Sequence, residues 1–231
     1  MSYKKRPDGR KFDETRKIEA KAGVIKNADG SAFFKIGNTA AYAAVYGPRE
    51  HFPRSQQDSK TGVLRCNYNM MPFSGSGERV RPGQSRRSRE ISMVTTKALL
   101  PVVEMEYPNA VVDVFIELTE TDAGSRCAGI CAASIALADA GITMRDMVAA
   151  VSAGKVDDKI VVDLDYAEEA YEDGDVADIP VAMVPSTEEL TLLQMDGKIS
   201  KEDLKKALEL VKEPLKKIAD IQRQALKDRY K

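Results

Sequence analysis

Val112, Val114, Ile116 and Leu118 fall on one face of an alternating run. Directly behind it the string DAGSR, Asp122 to Arg126, leads into a stretch of small residues, Arg126 to Ala140. A strand handed through a glycine turn to a helix start is a narrow specification, because the apolar period must change from two to about 3.6 within that turn. Gly124 permits a sharp bend, Ser125 is placed to cap the helix, and the unpaired N–H groups of a first turn carry partial positive charge. Such a place suits an anion, phosphate before others. Arg126 adds a planar fork of donors that a plain cap does not need. Taken alone, a Gly-Ser pair before a helix is most often only a cap, so the rest of the chain has to decide.

With 231 residues, 43% of them hydrophobic, the chain can bury a substantial core. No stretch of about 18 apolar residues occurs, and the charged start MSYKKRPDGR has no apolar segment behind it, so the expectation is a cytoplasmic protein with neither membrane span nor signal peptide. Cys66, Cys127 and Cys131 read as buried reduced thiols, since a single histidine, His51, is a poor complement for a metal site. The net charge of −1 argues against a generic nucleic-acid binder. Charge is nevertheless segregated: 49–97 is strongly basic and 157–178 strongly acidic. A protein that grips a polyanion and performs metal-assisted chemistry needs both kinds of patch.

Along the chain, Thr15 to Ile25, Ser31 to Ile36 and Thr39 to Tyr46 read as a strand meander, followed by a strand from Val63 to Met71. A flexible basic loop, Pro72 to Ser85, carries Arg79 and Arg81, and a helix is expected from about Gln84 to Val103, with Ile91, Val94 and Ala98 on one stripe. After the strand Ala110 to Thr119 and the small-residue helix, Met147 to Val156 and Ile160 to Leu164 read as a hairpin. Val176 to Val184 and Leu190 to Met195 are further strands. Ser200 opens a final helix with its stripe at Leu204, Leu208, Val211, Leu215 and Ile218, in which Pro214 is a candidate kink. Strands alternating with helices and no long linker imply one α+β unit over residues 1–231.

Six segments, in order, resemble the RNase PH family, and within it the catalytic ring subunits of archaeal exosomes: RPDGR (6–10), GNTAAYAAVYGPRE (37–50), YNMMPFS (68–74), SRR (85–87), DAGSR (122–126) and ADIPVAMVPS (177–186). The resemblance implies a single RNase PH-like domain, ribosomal protein S5 domain 2-like, with mixed β-sheets packed with helices. It also implies a phosphate-dependent 3′ to 5′ exoribonuclease, in which inorganic phosphate attacks the last phosphodiester of single-stranded RNA and releases a nucleoside diphosphate, reversibly. As partners it implies a second, catalytically inactive RNase PH-like subunit in a hexameric ring and S1 or KH cap proteins. A self-sufficient tRNA-trimming RNase PH and a non-catalytic RNA-binding ring subunit are the alternatives.

By the same resemblance Gly124, Ser125, Arg126 and Arg87 are expected to bind phosphate, Ser125 standing where many bacterial relatives carry threonine, and Arg86 with Arg87 to hold the RNA 3′ end. Asp178 matches the catalytic carboxylate. Set between apolar neighbours, it is a candidate acid for the leaving 3′ oxygen or a ligand for Mg²⁺ or Mn²⁺. Relatives often carry a second aspartate six residues earlier, where this chain has Glu172 beside Asp173. Arg65 and Tyr68 are expected to hold single-stranded RNA by a phosphate contact and base stacking.

Overall fold

The computed structural model describes residues 3–76, 81, 83 and 85–231. In chain order its elements are β1 (Ile18–Ala22), β2 (Gly30–Ile36), β3 (Thr39–Glu50), β4 (Val63–Met70), α1 (Arg86–Leu99), β5 (Ala110–Glu120), α2 (Ser125–Asp139), β6 (Ala149–Val156), β7 (Lys159–Val162), α3 (Tyr166–Glu169), β8 (Val176–Val184), β9 (Glu189–Leu193), β10 (Asp196–Gly197), α4 (Lys201–Leu210) and α5 (Lys212–Arg229). One sheet runs β1-β2-β3-β5-β4; the other runs β10-β8-β6-β7, with β9 also paired to β8. Among the described residues only β4 and β5 pair in parallel, joined by the crossover through α1. The result is the α+β mixed-sheet arrangement that the sequence implies.

Between the sheets lies α2, packed on β2, β3 and β5 on one side and on β6 and β8 on the other. A helix gripped from two sides must be apolar all round and slim, which the run CAGICAASIALA supplies; every residue from Cys127 to Leu137 is buried. Val112, Val114, Ile116 and Leu118 are all fully buried in the core with it. The three cysteines are free and buried.

Several boundaries differ from the sequence reading. The first helix ends at Leu99: Leu100, its C-cap, keeps helical backbone angles and donates to Thr96 O, but Pro101 has no N–H with which to continue the ladder. Its start is fixed by a capping box in which the Ser85 hydroxyl accepts from Ser88 N at 3.0 Å and Ser88 Oγ from Ser85 N at 2.7 Å; Gln84, the expected start, and Arg79 lie outside the described residues. The terminal helix is two helices broken at Val211: Pro214, in the first turn of α5, has no N–H to return to the preceding turn. The acidic segment holds the short α3, capped by Asp165 and Glu168. Among the described residues no helix is long and apolar enough to cross a membrane.

Candidate active site

A cleft with two lobes opens where the first turns of α1 and α2 meet the start of β8. The larger lobe has a volume of about 840 Å³ and takes Arg86, Gln194 and Asp196 into its lining. The smaller, about 270 Å³, is lined by Ala123, Gly124, Ser125 and Tyr166 among others. Arg87, Arg126, Glu169, Asp178 and Pro180 border both. The structure therefore brings Arg86, Arg87, Gly124, Ser125, Arg126 and Asp178 to one place, although they come from three elements far apart in the chain.

The small lobe is built on a strained turn. Ala123 and Gly124 are both left-handed, at φ of 57° and 60°, a region an alanine adopts only when its surroundings force it. The force comes from a clamp on Asp122 and Ala123. Thr39 Oγ1 donates to Ala123 O at 2.7 Å and accepts from Asp122 N at 2.9 Å. Arg16 donates to Asp122 O, and Tyr166 N donates to the Asp122 carboxylate at 3.0 Å. Gly124, not Ser125, is the N-cap residue, and no side chain caps the helix. The expectation that Ser125 caps is thus corrected: the double left-handed turn makes Ser125 the first helical residue. The first-turn N–H groups, which have no intrahelical acceptors, stay available at the lobe.

Arg126 is aimed by Gln194, whose Oε1 accepts from Nη1 at 2.6 Å. Asp178 is half-buried and accepts from the Ser152 hydroxyl. Burial raises its pKa above the usual carboxylate value and Asp196 adds to this, while Ser152 and Arg126 pull it down. Glu169, at the end of α3, is pushed up to about 7, first by burial and then by the charge of Asp178, with Arg87, Arg16 and Arg126 opposing. Glu169 is thus, with Asp178, a carboxyl that borders both lobes, while Glu90 and Asp196 line the larger one. Glu172 is exposed, beyond α3, and lines neither lobe. The signal was legible: the Asp165-x-x-Glu168 capping box fixes where α3 begins and so places Glu169 in it. Nothing in the sequence pointed to Gln194 or Ser152.

On β4 the two residues expected to hold RNA do not share a face. Arg65 and Tyr68 are three positions apart and so lie on opposite faces of a strand of period two. Arg65 is spent on Asp113, reached by Nη2 at 3.0 Å, with Arg49 at 2.7 Å on the same carboxylate. Tyr68 is 2% exposed and its ring cannot stack on a base. Most of the acidic segment is likewise engaged: Asp163 binds Arg16, Glu168 binds Arg6, and Asp165 caps α3. Among the described residues no group of three or more His, Cys, Asp or Glu side chains is arranged to hold a metal.

Residues 14–143 match the model of domain 1 of the 3′ exoribonuclease family, and residues 146–213 match domain 2. The protein named exosome complex component Rrp41 of Methanopyrus kandleri is 51% identical over 226 residues, covering 97% of this chain and 93% of its own length. The proteins of that name from Thermococcus gammatolerans and Pyrococcus furiosus are 52% and 50% identical over 98% of this chain, covering 90% and 89% of their own lengths. Among solved structures, rice Rrp46 superposes with a TM-score of 0.83 over 96% of this chain and 100% of its own, at 22% identity, a likeness of fold.

Proposed function

The chain belongs to the RNase PH family of 3′ exoribonucleases, and on that premise we propose that it degrades single-stranded RNA from the 3′ end by phosphorolysis, as the catalytic subunit of an archaeal exosome ring. One observation carries the reading: Arg87, Arg126, Glu169 and Asp178 border both lobes of a single cleft whose smaller lobe is the bare start of a helix. Phosphorolysis sets two anions side by side, and a site can hold them only with cationic and N–H donors already in place. A scaffold has no need of that convergence. Identity near 50% to proteins named as exosome components favours the ring subunit over the tRNA-trimming enzyme.

In this reading inorganic phosphate occupies the small lobe, against the N–H groups of the first turn, the Ser125 hydroxyl and the Arg126 fork. The RNA 3′ end lies in the larger lobe, with Arg86 and Arg87 on its phosphates. A phosphate oxygen attacks the last phosphorus, the bond to the 3′ oxygen of the preceding nucleotide breaks, and the Asp178 carboxyl, which burial inclines to hold its proton, supplies it to that oxygen. The product is a nucleoside diphosphate, and the reverse path lengthens the RNA. Mg²⁺ or Mn²⁺ would be held by Glu169 and by Asp178 only in its ionised form, in which Asp178 is ligand rather than acid; such a hard cation would supply charge neutralisation between the phosphates. Glu169 takes the place expected of Glu172. The proposal extends to a second, inactive RNase PH-like subunit alternating in a hexamer, to S1 or KH caps, and to a cytoplasmic setting.

Incubated with single-stranded RNA, Mg²⁺ and phosphate, with and without the partner subunit, the protein is expected to release nucleoside diphosphates, and Asp178→Ala to abolish them. Monophosphates formed without added phosphate would establish hydrolysis and overturn the mechanism.

A further inference from the structure

The Tyr68 hydroxyl is sealed from solvent, and among the described residues it has no hydrogen-bond partner. Such a group costs free energy, and a phenylalanine would fill the same space without that cost, so its presence asks for a reason. Its surroundings supply one. Tyr68 lies at the foot of the cleft, sharing a small cavity with Ser85, Ser88 and Arg87 at the start of α1. Its hydroxyl has the Ser125 hydroxyl as a neighbour, close enough to bear on its acidity, yet the pair does not meet hydrogen-bond geometry. Burial pushes the phenol up to about 12, with Ser125, Arg87 and Arg126 opposing, so it keeps its proton at any working pH.

The ring is packed against α2 and its strand is anchored to α1. Tyr68 N donates to Ser92 Oγ at 2.9 Å, and the ring edge lies 3.4 Å from where a Cβ on Gly129 of α2 would stand. Adjustment therefore falls to Ser125, whose side chain turns about one bond at the edge of the small lobe. A serine hydroxyl has one proton to give and lone pairs to receive. If Tyr68 donates to it, the serine proton is left free for an acceptor on the lobe side.

We infer that Tyr68 is a positioning residue for phosphate: with the anion in the small lobe, Tyr68 Oη donates to Ser125 Oγ, which in turn donates to a phosphate oxygen. The chain of donors runs one way, from a buried phenol that keeps its proton, through the serine hydroxyl, to the lone pairs of an unprotonated phosphate oxygen. This rests on the proposed placement of phosphate at Ser125.

Tyr68→Phe, Ser125→Ala and the double variant, each in the assembled enzyme, separate the possibilities by phosphorolysis at varied phosphate and varied RNA, together with thermal melting. The expected result for Tyr68→Phe is a KM for phosphate raised about 3- to 10-fold, an unchanged KM for RNA, and a melting midpoint equal to or above that of the parent. The double variant should be no worse than Ser125→Ala alone. A phosphate KM unmoved by Tyr68→Phe but raised by Ser125→Ala sinks the role of Tyr68 and leaves the phosphate lobe standing. A phosphate KM unmoved by Ser125→Ala overturns the lobe assignment itself. Multiplying effects in the double variant, or a lowered melting midpoint for Tyr68→Phe, would show that the phenol acts elsewhere and also overturn the inference.

Discussion

Glu169 and Glu172 are three positions apart, yet only the first lines the cleft, because α3 ends at Glu169 and Glu172 lies exposed beyond it. The burial that raises Glu169 also places it beside Asp178, Arg87 and Arg126, whose charges act on it. Replacing Glu169 by Ala is expected to lower kcat/KM for RNA at least 10-fold, through loss of a cation ligand or of cleft electrostatics. Glu172→Ala should stay within about twofold, as exposed substitutions away from such features usually do. Steady-state phosphorolysis of the two variants, side by side, reads the difference; equal losses would return the second carboxylate to Glu172. At this scale the sequence named Asp178, Ser125, Arg126 and the arginine pair by their strings. It set Tyr68 and Arg65 together as an RNA platform, although the two-residue period of a strand puts them on opposite faces, Tyr68 buried and Arg65 half-exposed beside Asp113.

At the scale of elements, β5 is the strand on which the site is hung, since it delivers the chain to the Asp122–Gly124 turn and pairs with both β3 and β4. Its one buried charge is Asp113, held by Arg49 from β3 and Arg65 from β4. Burial alone would raise that carboxyl, but hydrogen bonds from Arg65 and Arg49 and their charges bring it below the usual carboxylate value. A depressed folded pKa means that the unfolded chain binds the proton more readily. The stabilisation is therefore present above the unfolded value, near pH 4, and is lost as pH falls through the folded value. Asp113→Asn is expected to cost about 2 kcal/mol at neutral pH, with its gap to the parent closing below about pH 4. Chemical denaturation at a series of pH values measures this, and a gap independent of pH would refute the account. The turn after β5 and the small-residue helix behind it were legible because glycine and an all-apolar run have few other uses. The break at Val211 was only half legible, Pro214 marking a kink but not its depth.

For the whole molecule, the segment ahead of β1 ties the two halves of the chain together around the cleft. Arg6 is 1% exposed and grips both oxygens of Glu168, through Nε at 2.8 Å and Nη2 at 2.7 Å, while also donating to Val162 O and Asp163 O. Arg16 binds Asp163 with one edge and Asp122 O with the other, joining the acidic segment to the phosphate turn. Removing one member of such a buried pair leaves the other uncompensated, so Arg6→Ala is expected to cost about 3–5 kcal/mol in urea unfolding. It should also lower activity by freeing α3, and so Glu169. A loss below 1 kcal/mol would show that the pair contributes little. From its own residues the chain determined which segments are strands and where the sharp turn before α2 falls, because these depend on local period, glycine and side-chain type. Only the tertiary structure decided which charges remain free to act. Arg6, Arg16, Arg49 and Arg65 could not be told in advance from Arg87 and Arg126, nor Asp163 and Glu168 from Glu169. A charge is neutralised by whatever partner the fold brings within about 4 Å, and that partner lies far away in sequence.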